Sequence, residues 1–381
     1  MPKPPIAEPR GATLEIPRVI MEAASPFVRR QIGRNDPCPC NGGRKFKRCC
    51  EPMLRARAAQ MASNTTHIQQ HGHVKPLINA LLQGHRFIAV GNELMIGKQG
   101  KWQTFPDFLV DYVRHLLGSG WGQAEIAKPI ASDRHPIVQW YQHFCEIQKS
   151  AKRNAQGIYE VERDGVTAAF MILAYDLYVL RHHGKLQREV LKRLRRHDQF
   201  IGARYELFVA ALFVRAGFEI AYEDEHDPSK KHPEFIATHR DTNFVLAVEA
   251  KAKHRDLKIG DPRPAANVKS LLLNAAKKHS GHPYAVFVDM NLPPEDAKAP
   301  PSWMPDVYRT IDEISATEGR PPFDLAFFTN VPHQYGLTGE PDPPKHVYAR
   351  KVTQRIPLEI DNALARAMTQ YGNIPNDFAS S

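Results

Sequence analysis

Four of the chain's five cysteines fall within thirteen residues, as Cys38-x-Cys40, eight residues, then Cys49-Cys50. A segment this short cannot bury enough apolar surface to hold itself together, so something other than a core must fix it. A disulfide scaffold spreads its cysteines along the chain. Clustered thiols fit metal ligation, and with it a reducing compartment. Four thiolates close the tetrahedral shell of Zn²⁺ and leave no position for water, which makes such a site structural. Asn41-Gly42-Gly43 supplies the turn between the two pairs, and the neighbouring Lys and Arg residues favour the thiolate form. Cys145, alone among Trp140, Tyr141 and Phe144, reads as a small buried hydrophobe.

The run Gly33-Arg34-Asn35-Asp36-Pro37-Cys38-Pro39-Cys40-Asn41-Gly42-Gly43-Arg44-Lys45-Phe46-Lys47-Arg48-Cys49-Cys50 resembles the SEC-C motif, the zinc module at the C-terminal end of the SecA translocation ATPase. It departs from that family at Asn41-Gly42, where Gly-Ser is usual. The fourth ligand of the family is Cys or His, here Cys50. The resemblance implies an accessory module that docks a protein partner, and says nothing of the activity of the remaining residues.

At 381 residues the chain has room for two or three domains, and its formal net charge of +10 favours polyanionic partners. Residues 1–30 are Pro-rich and read as a flexible arm, with neither a signal peptide nor a transit helix at Met1–Arg10. The longest apolar stretch, Gly165–Leu180, is broken by Asp176 and too short to span a bilayer, so it reads as a buried helix in a cytoplasmic protein. Residues 31–52 form the zinc module. Residues 53–195 are mostly helical, at Phe105–Leu117, Pro136–Lys149 and Val166–Arg181, with a hairpin over Arg86–Lys98.

From residue 196 to 335 the period changes. A helix over Phe200–Ala216 precedes apolar runs at Phe218–Tyr222, Glu234–Thr238 and Phe244–Ala250. A helical segment, Ala265–His279, and runs at Tyr284–Met290 and Asp324–Thr329 follow. Helix, three strands, helix, strand predicts an α/β layout with a parallel crossover. Residues 336–381 read as a linker and a final helix, Leu358–Tyr371.

The strand ending in Val248-Glu249-Ala250-Lys251 is apolar up to its charged end. Side chains alternate along a strand, so Glu249 and Lys251 share one face. Pro233-Glu234 opens the preceding strand, and a hairpin return brings Glu234 towards Glu249. Neighbouring carboxylates repel, and a divalent cation relieves that repulsion. This pattern resembles the PD-(D/E)xK nuclease superfamily, the restriction-endonuclease-like fold, over roughly residues 200–330. One departure is Glu234 where that family usually has Asp.

The resemblance implies a mixed sheet flanked by helices, with Glu234 and Glu249 as ligands of catalytic Mg²⁺ or Mn²⁺ and Lys251 as the catalytic lysine. Glu206, on the first helix, is the further glutamate the family often supplies. The expected function is then a metal-dependent endonuclease acting on nucleic acid, foremost DNA. Defence of a bacterium against foreign DNA suits it by analogy. The competing expectation is a nuclease-like adaptor without activity, which binds nucleic acid or protein through its basic surface and zinc module.

Three further features carry two readings each. The basic run Arg181, Lys185, Arg188, Lys192, Arg193, Arg195, Arg196 and Arg204 is either a phosphate-contacting face or a solvated one. His67, His71 and His73 have metal-ligand spacing in a polar segment, and His182-His183 reads as a charge partner for a helix C-terminus. Lys253, His254 and Arg255 are phosphate contacts or a solvated loop.

Overall fold

A computed structural model describes residues 33–38, 40, 42–223, 232–253, 268–278, 281–295, 299–318, 322–331 and 346–378. The arm expected over residues 1–30 lies outside them, as do Asn41, His254, Arg255 and residues 336–345. The chain divides into two compact units, Met1–Thr66 and His67–Ser381.

In the first unit a tight hairpin is closed by a bridge between Pro37 and Lys45, and a 3₁₀ turn, Phe46–Arg48, leads into helix α1 (Cys50–His71). Gly43 takes a positive φ of 68° at the turn, and a Cβ on Gly42 would sit 3.3 Å from the sulfur of Cys40. Gly43 therefore favours glycine by its backbone, while a side chain at Gly42 would crowd the cysteine sulfurs. Glu51 in the first turn of α1 pairs with Arg34 at 3.0 Å and Arg55 at 2.7 Å, fastening the hairpin to the helix.

The second unit opens with a three-stranded antiparallel sheet, β1 (Ile78–Leu82), β2 (His85–Val90) and β3 (Glu93–Ile96). The hairpin expected at 86–98 is β2–β3. β1 joins it through Gln83-Gly84, both at positive φ, the two-residue turn that matches strand twist. Ile88 and Val90 turn inward, while Ile78, Leu82, Leu94 and Ile96 stay exposed.

Helices α2 (Phe105–Leu117), α3 (Ser119–Ile126), α4 (Pro136–Ser150), α5 (Gly165–His182), α6 (Arg188–Leu194) and α7 (Phe200–Arg215) follow. α2 starts on a Thr104/Asp107 capping box, and α5 on Asp164, whose side chain accepts from Thr167 N at 2.8 Å. α5 is buried along nearly its whole length, as its apolar run predicts. Its one carboxylate, Asp176, accepts from Arg215 of α7 at 2.8 Å and from Tyr371 at 3.1 Å. Burial lifts the Asp176 pKa to about 6, the nearby Arg215 opposing.

After α7 come β6 (Phe218–Tyr222), β7 (Phe235–His239), β8 (Val245–Ala252), α8 (Lys269–Ala276), β9 (Tyr284–Asp289), α9 (Met304–Glu318), β10 (Leu325–Asn330), β11 (His346–Lys351) and α10 (Leu358–Thr369). The strands build one mixed sheet in the order β11-β10-β9-β8-β7-β6. β6, β7 and β8 form an antiparallel meander. β9 and β10 lie parallel to β8, with α8 and α9 as the crossovers, and β11 closes the edge antiparallel to β10.

One sheet face, bearing Leu246, Val248 and Ala250, shares a core with α5 and α7. That core runs across residues 195–196 without a break. The opposite face, bearing Ala247, Val286 and Val288, packs on Leu272 of α8 and on Val307 and Ile311 of α9. Several elements were not expected. Residues 346–351, read as linker, form β11, α9 breaks what read as irregular chain, and the helical region also holds β1 and a two-residue hairpin of β4 (Lys152–Arg153) and β5 (Tyr159–Glu160).

Candidate functional site

β7 and β8 pair with Phe235 opposite Val248, and Glu234 N donates to Val248 O at 2.9 Å. Glu249 and Lys251 alternate with Val248 and Ala250, so they fall on the sheet face that α8 covers. Glu234, just ahead of β7, comes to the same place, and Lys251 lies within ion-pair reach of both carboxylates.

Lys251 makes direct contact with the Glu249 carboxylate and lies 3.7 Å from Glu234. A fourth group joins them that the sequence reading missed. Lys278, just beyond the end of α8, lies 2.9 Å from Glu249 and 3.8 Å from Glu234. The Glu249 side chain is 0 % exposed, while Lys251 and Lys278 are 26 % and 29 % exposed. The acids are thus sunk beneath two half-buried ammonium groups. Burial, then repulsion from Glu206 and Glu249, raises the Glu234 pKa to about 7, with the two lysines opposing. Burial works to lower the Lys278 pKa, but its hydrogen bond to Glu249 and the charge of that carboxylate hold it above the ordinary value.

Glu206 reaches the same neighbourhood from α7. It lines a pocket of about 10 Å³ with Glu234, Tyr222 and Phe235, room for one water at most. Its two oxygens are engaged by Arg193 at 2.6 and 2.7 Å. Much of the basic run is paired as well: Arg181 pairs with Glu93, Lys185 with Glu219, Lys192 with Glu189 and Arg196 with Asp198, Arg195 donates to Leu117 O, and Arg204 is buried. Arg188 is exposed, and the Lys192 and Arg196 pairs lie at the surface.

The histidines also differ from expectation. His183 accepts from Lys75 N at 2.9 Å and His182 from Gly91 N at 3.3 Å. Burial lowers both pKa values, that of His183 to about 3, so they act as neutral acceptors and not as charges on a helix end. His67 bonds the carbonyl of Val74 at 2.8 Å.

In the first unit, the ligand atoms of Cys38, Cys40, Cys49 and Cys50 all lie within 4.8 Å of one another. The Cys40 sulfur is 3.4 Å from that of Cys38 and 3.3 Å from that of Cys49. Tetrahedral Zn²⁺ with bonds of about 2.3 Å sets its sulfurs about 3.8 Å apart, so a small outward relaxation admits the ion. The four sulfurs share protons unequally. Cys38 is drawn down to about 6, foremost by the backbone N–H of Cys40, and Cys50 is pushed up to about 12 by bonding to Cys38 and Cys40. Among the described residues, no other cluster of three or more such ligands is this tight, and the three glutamates are not so gathered.

Residues 34–52 match the family described as the SEC-C motif. The cysteine cluster thus belongs to a known motif and is compatible with structural zinc. Over 31 residues the chain is 61% identical to the protein translocase subunit SecA of Syntrophotalea carbinolica, which amounts to 8% of this chain and 4% of that relative. No solved structure matches the chain. Among the described residues no helix is long and apolar enough to cross a membrane.

Proposed function

We propose that the chain is a metal-dependent nuclease of the PD-(D/E)xK type that hydrolyses phosphodiester bonds, foremost in DNA. The observation that carries this reading is the contact of Glu234 and Glu249 with the same lysine, Lys251, which lies two residues beyond Glu249 on one face of β8. The order α7-β6-β7-β8-α8-β9 supports it, being the helix, three strands, helix, strand sequence of the restriction-endonuclease-like fold.

The donor set fits Mg²⁺ or Mn²⁺. A hard cation takes one or two carboxylates and fills its shell with water and phosphate oxygens. Burial first, and then the neighbouring charges of Glu206 and Glu249, raise the proton affinity of Glu234, and a bound dication would offset the repulsive part. Bound there, the ion would polarise the scissile phosphate and acidify a water. Glu234 and Glu249 would hold it, and the Lys251 ammonium would meet the negative charge that grows on the phosphate. Water adds across one P–O bond, leaving a phosphate monoester on one fragment and a hydroxyl on the other. Glu206, held by Arg193, acts on the site through its charge on Glu234.

A second reading, an adaptor without activity, is favoured by one observation: the buried Glu249 is already ion-paired to two lysines. Incubating the purified chain with plasmid, linear duplex, single strands and RNA, in Mg²⁺ or Mn²⁺ and in EDTA, separates the two. The zinc module belongs to either reading as a hook for a protein partner.

A further inference from the structure

Two ammonium groups face two carboxylates here, so a dication would bring further positive charge to a place already filled. Lys251 makes direct contact with Glu249 and lies 3.7 Å from Glu234. Lys278 likewise bridges Glu249 at 2.9 Å and Glu234 at 3.8 Å. A cation that bridges two opposed carboxylates stands where a dication joining them would stand. Two like-charged groups cannot share that place, since repulsion at such separations is large even in a polar environment.

The two lysines are not equivalent in what they can do about it. Lys251 sits within β8, where its backbone pairs with Val288 of β9 in the sheet ladder. The two side chains are about equally exposed, at 26 % and 29 %, but Lys278 sits outside the sheet, in the turn after α8. Its flexible stem of four carbons can swing away without disturbing the sheet.

We infer that Lys278 is a gate on the metal site: its ammonium fills the place between Glu234 and Glu249 in the metal-free protein and leaves it when a divalent cation enters, whereas Lys251 stays. This inference rests on the nuclease reading. It adds that an empty site is held closed by the chain's own charge, so metal must displace a residue in order to bind. Lys278 therefore lowers metal affinity while keeping the buried acids neutralised until the ion arrives.

The test uses the full chain and Mn²⁺ alone, without nucleic acid. Lysine acylation read by mass spectrometry should show Lys278 labelled slowly in EDTA and at least several-fold faster in saturating Mn²⁺, with Lys251 changing much less. Titration calorimetry should show Lys278→Met binding Mn²⁺ at least roughly tenfold more tightly than the unaltered chain, because a competing charge is gone. Mn²⁺ binding with Lys278 labelling unchanged would overturn the gate and leave the nuclease reading standing. So would a Lys278→Met variant that binds no more tightly. No heat of Mn²⁺ binding at either protein would overturn both. If Lys278→Met fails to fold, labelling of the unaltered chain still decides.

Discussion

Replacing Glu234 by Gln removes a carboxylate that the fold holds against its own preference. Its pKa rises from the ordinary 4.5 to about 7, first through burial and then through Glu206 and Glu249. A carboxylate with a raised folded-state pKa binds more protons folded than unfolded between those two values, so stability falls as pH rises through that window. Below about 4.5 the group is protonated in both states and costs nothing. Above 7 the full penalty is present. The span of about 2.5 pH units corresponds to about 3 kcal/mol, and with the side chain only 15 % exposed little is lost to solvent screening.

Gln keeps the shape and the neutral charge of the protonated acid. In EDTA at pH 8, Glu234→Gln should therefore be more stable than the unaltered chain by up to about 3 kcal/mol, or about 6 °C in Tm. At pH 4.5 the gap should close. Saturating Mn²⁺ should reverse the order, because a cation that binds only the folded acid stabilises only the chain that has it. Thermal melts at the two pH values, with and without metal, read all of this. A Glu234→Gln variant no more stable at pH 8, or a gap that persists unchanged at pH 4.5, would refute the electrostatic account of the site.

The cysteine cluster should carry about one zinc per chain by elemental analysis of protein purified without chelator, and Cys49→Ser with Cys50→Ser should remove it. Acid should release the zinc, since protons compete for the thiolates. Arg215→Met should destabilise the second unit by about 3–5 kcal/mol in denaturant melts at neutral pH, because it strands Asp176 as a buried charge with Tyr371 as its remaining bonded partner.

Much of the site was legible because it follows strand alternation. Glu249 and Lys251 are two residues apart, and the short return from β7 to β8 brings Glu234 within reach of Lys251. The buried helix α5 was legible from its long apolar run, interrupted only by Asp176, and the cysteine cluster from ligand spacing. What escaped the sequence came from pairings between distant segments. Lys278 arrives by way of the crossover helix α8, and only the knowledge of which sheet face α8 covers points to it. The basic run stayed open between a phosphate-contacting and a solvated face because several of its partners, Glu93, Glu206 and Glu219, lie on other elements. β11 was missed because His346-Val347-Tyr348-Ala349-Arg350-Lys351 is polar enough to pass for linker. As an edge strand it needs only one buried side.

The central claim is hydrolysis at Glu234, Glu249 and Lys251, and cleavage of plasmid DNA by the unaltered chain and by Lys251→Ala tests it most directly. Lys278 still pairs with the buried Glu249 in that variant, so the variant should fold, at a melting temperature several degrees lower for the lost ion pair. The account predicts that the unaltered chain nicks or linearises plasmid in Mg²⁺ or Mn²⁺ but not in EDTA, and that folded Lys251→Ala does neither. Equal cleavage by both proteins, or no metal-dependent cleavage of any nucleic acid by the unaltered chain, would contradict it.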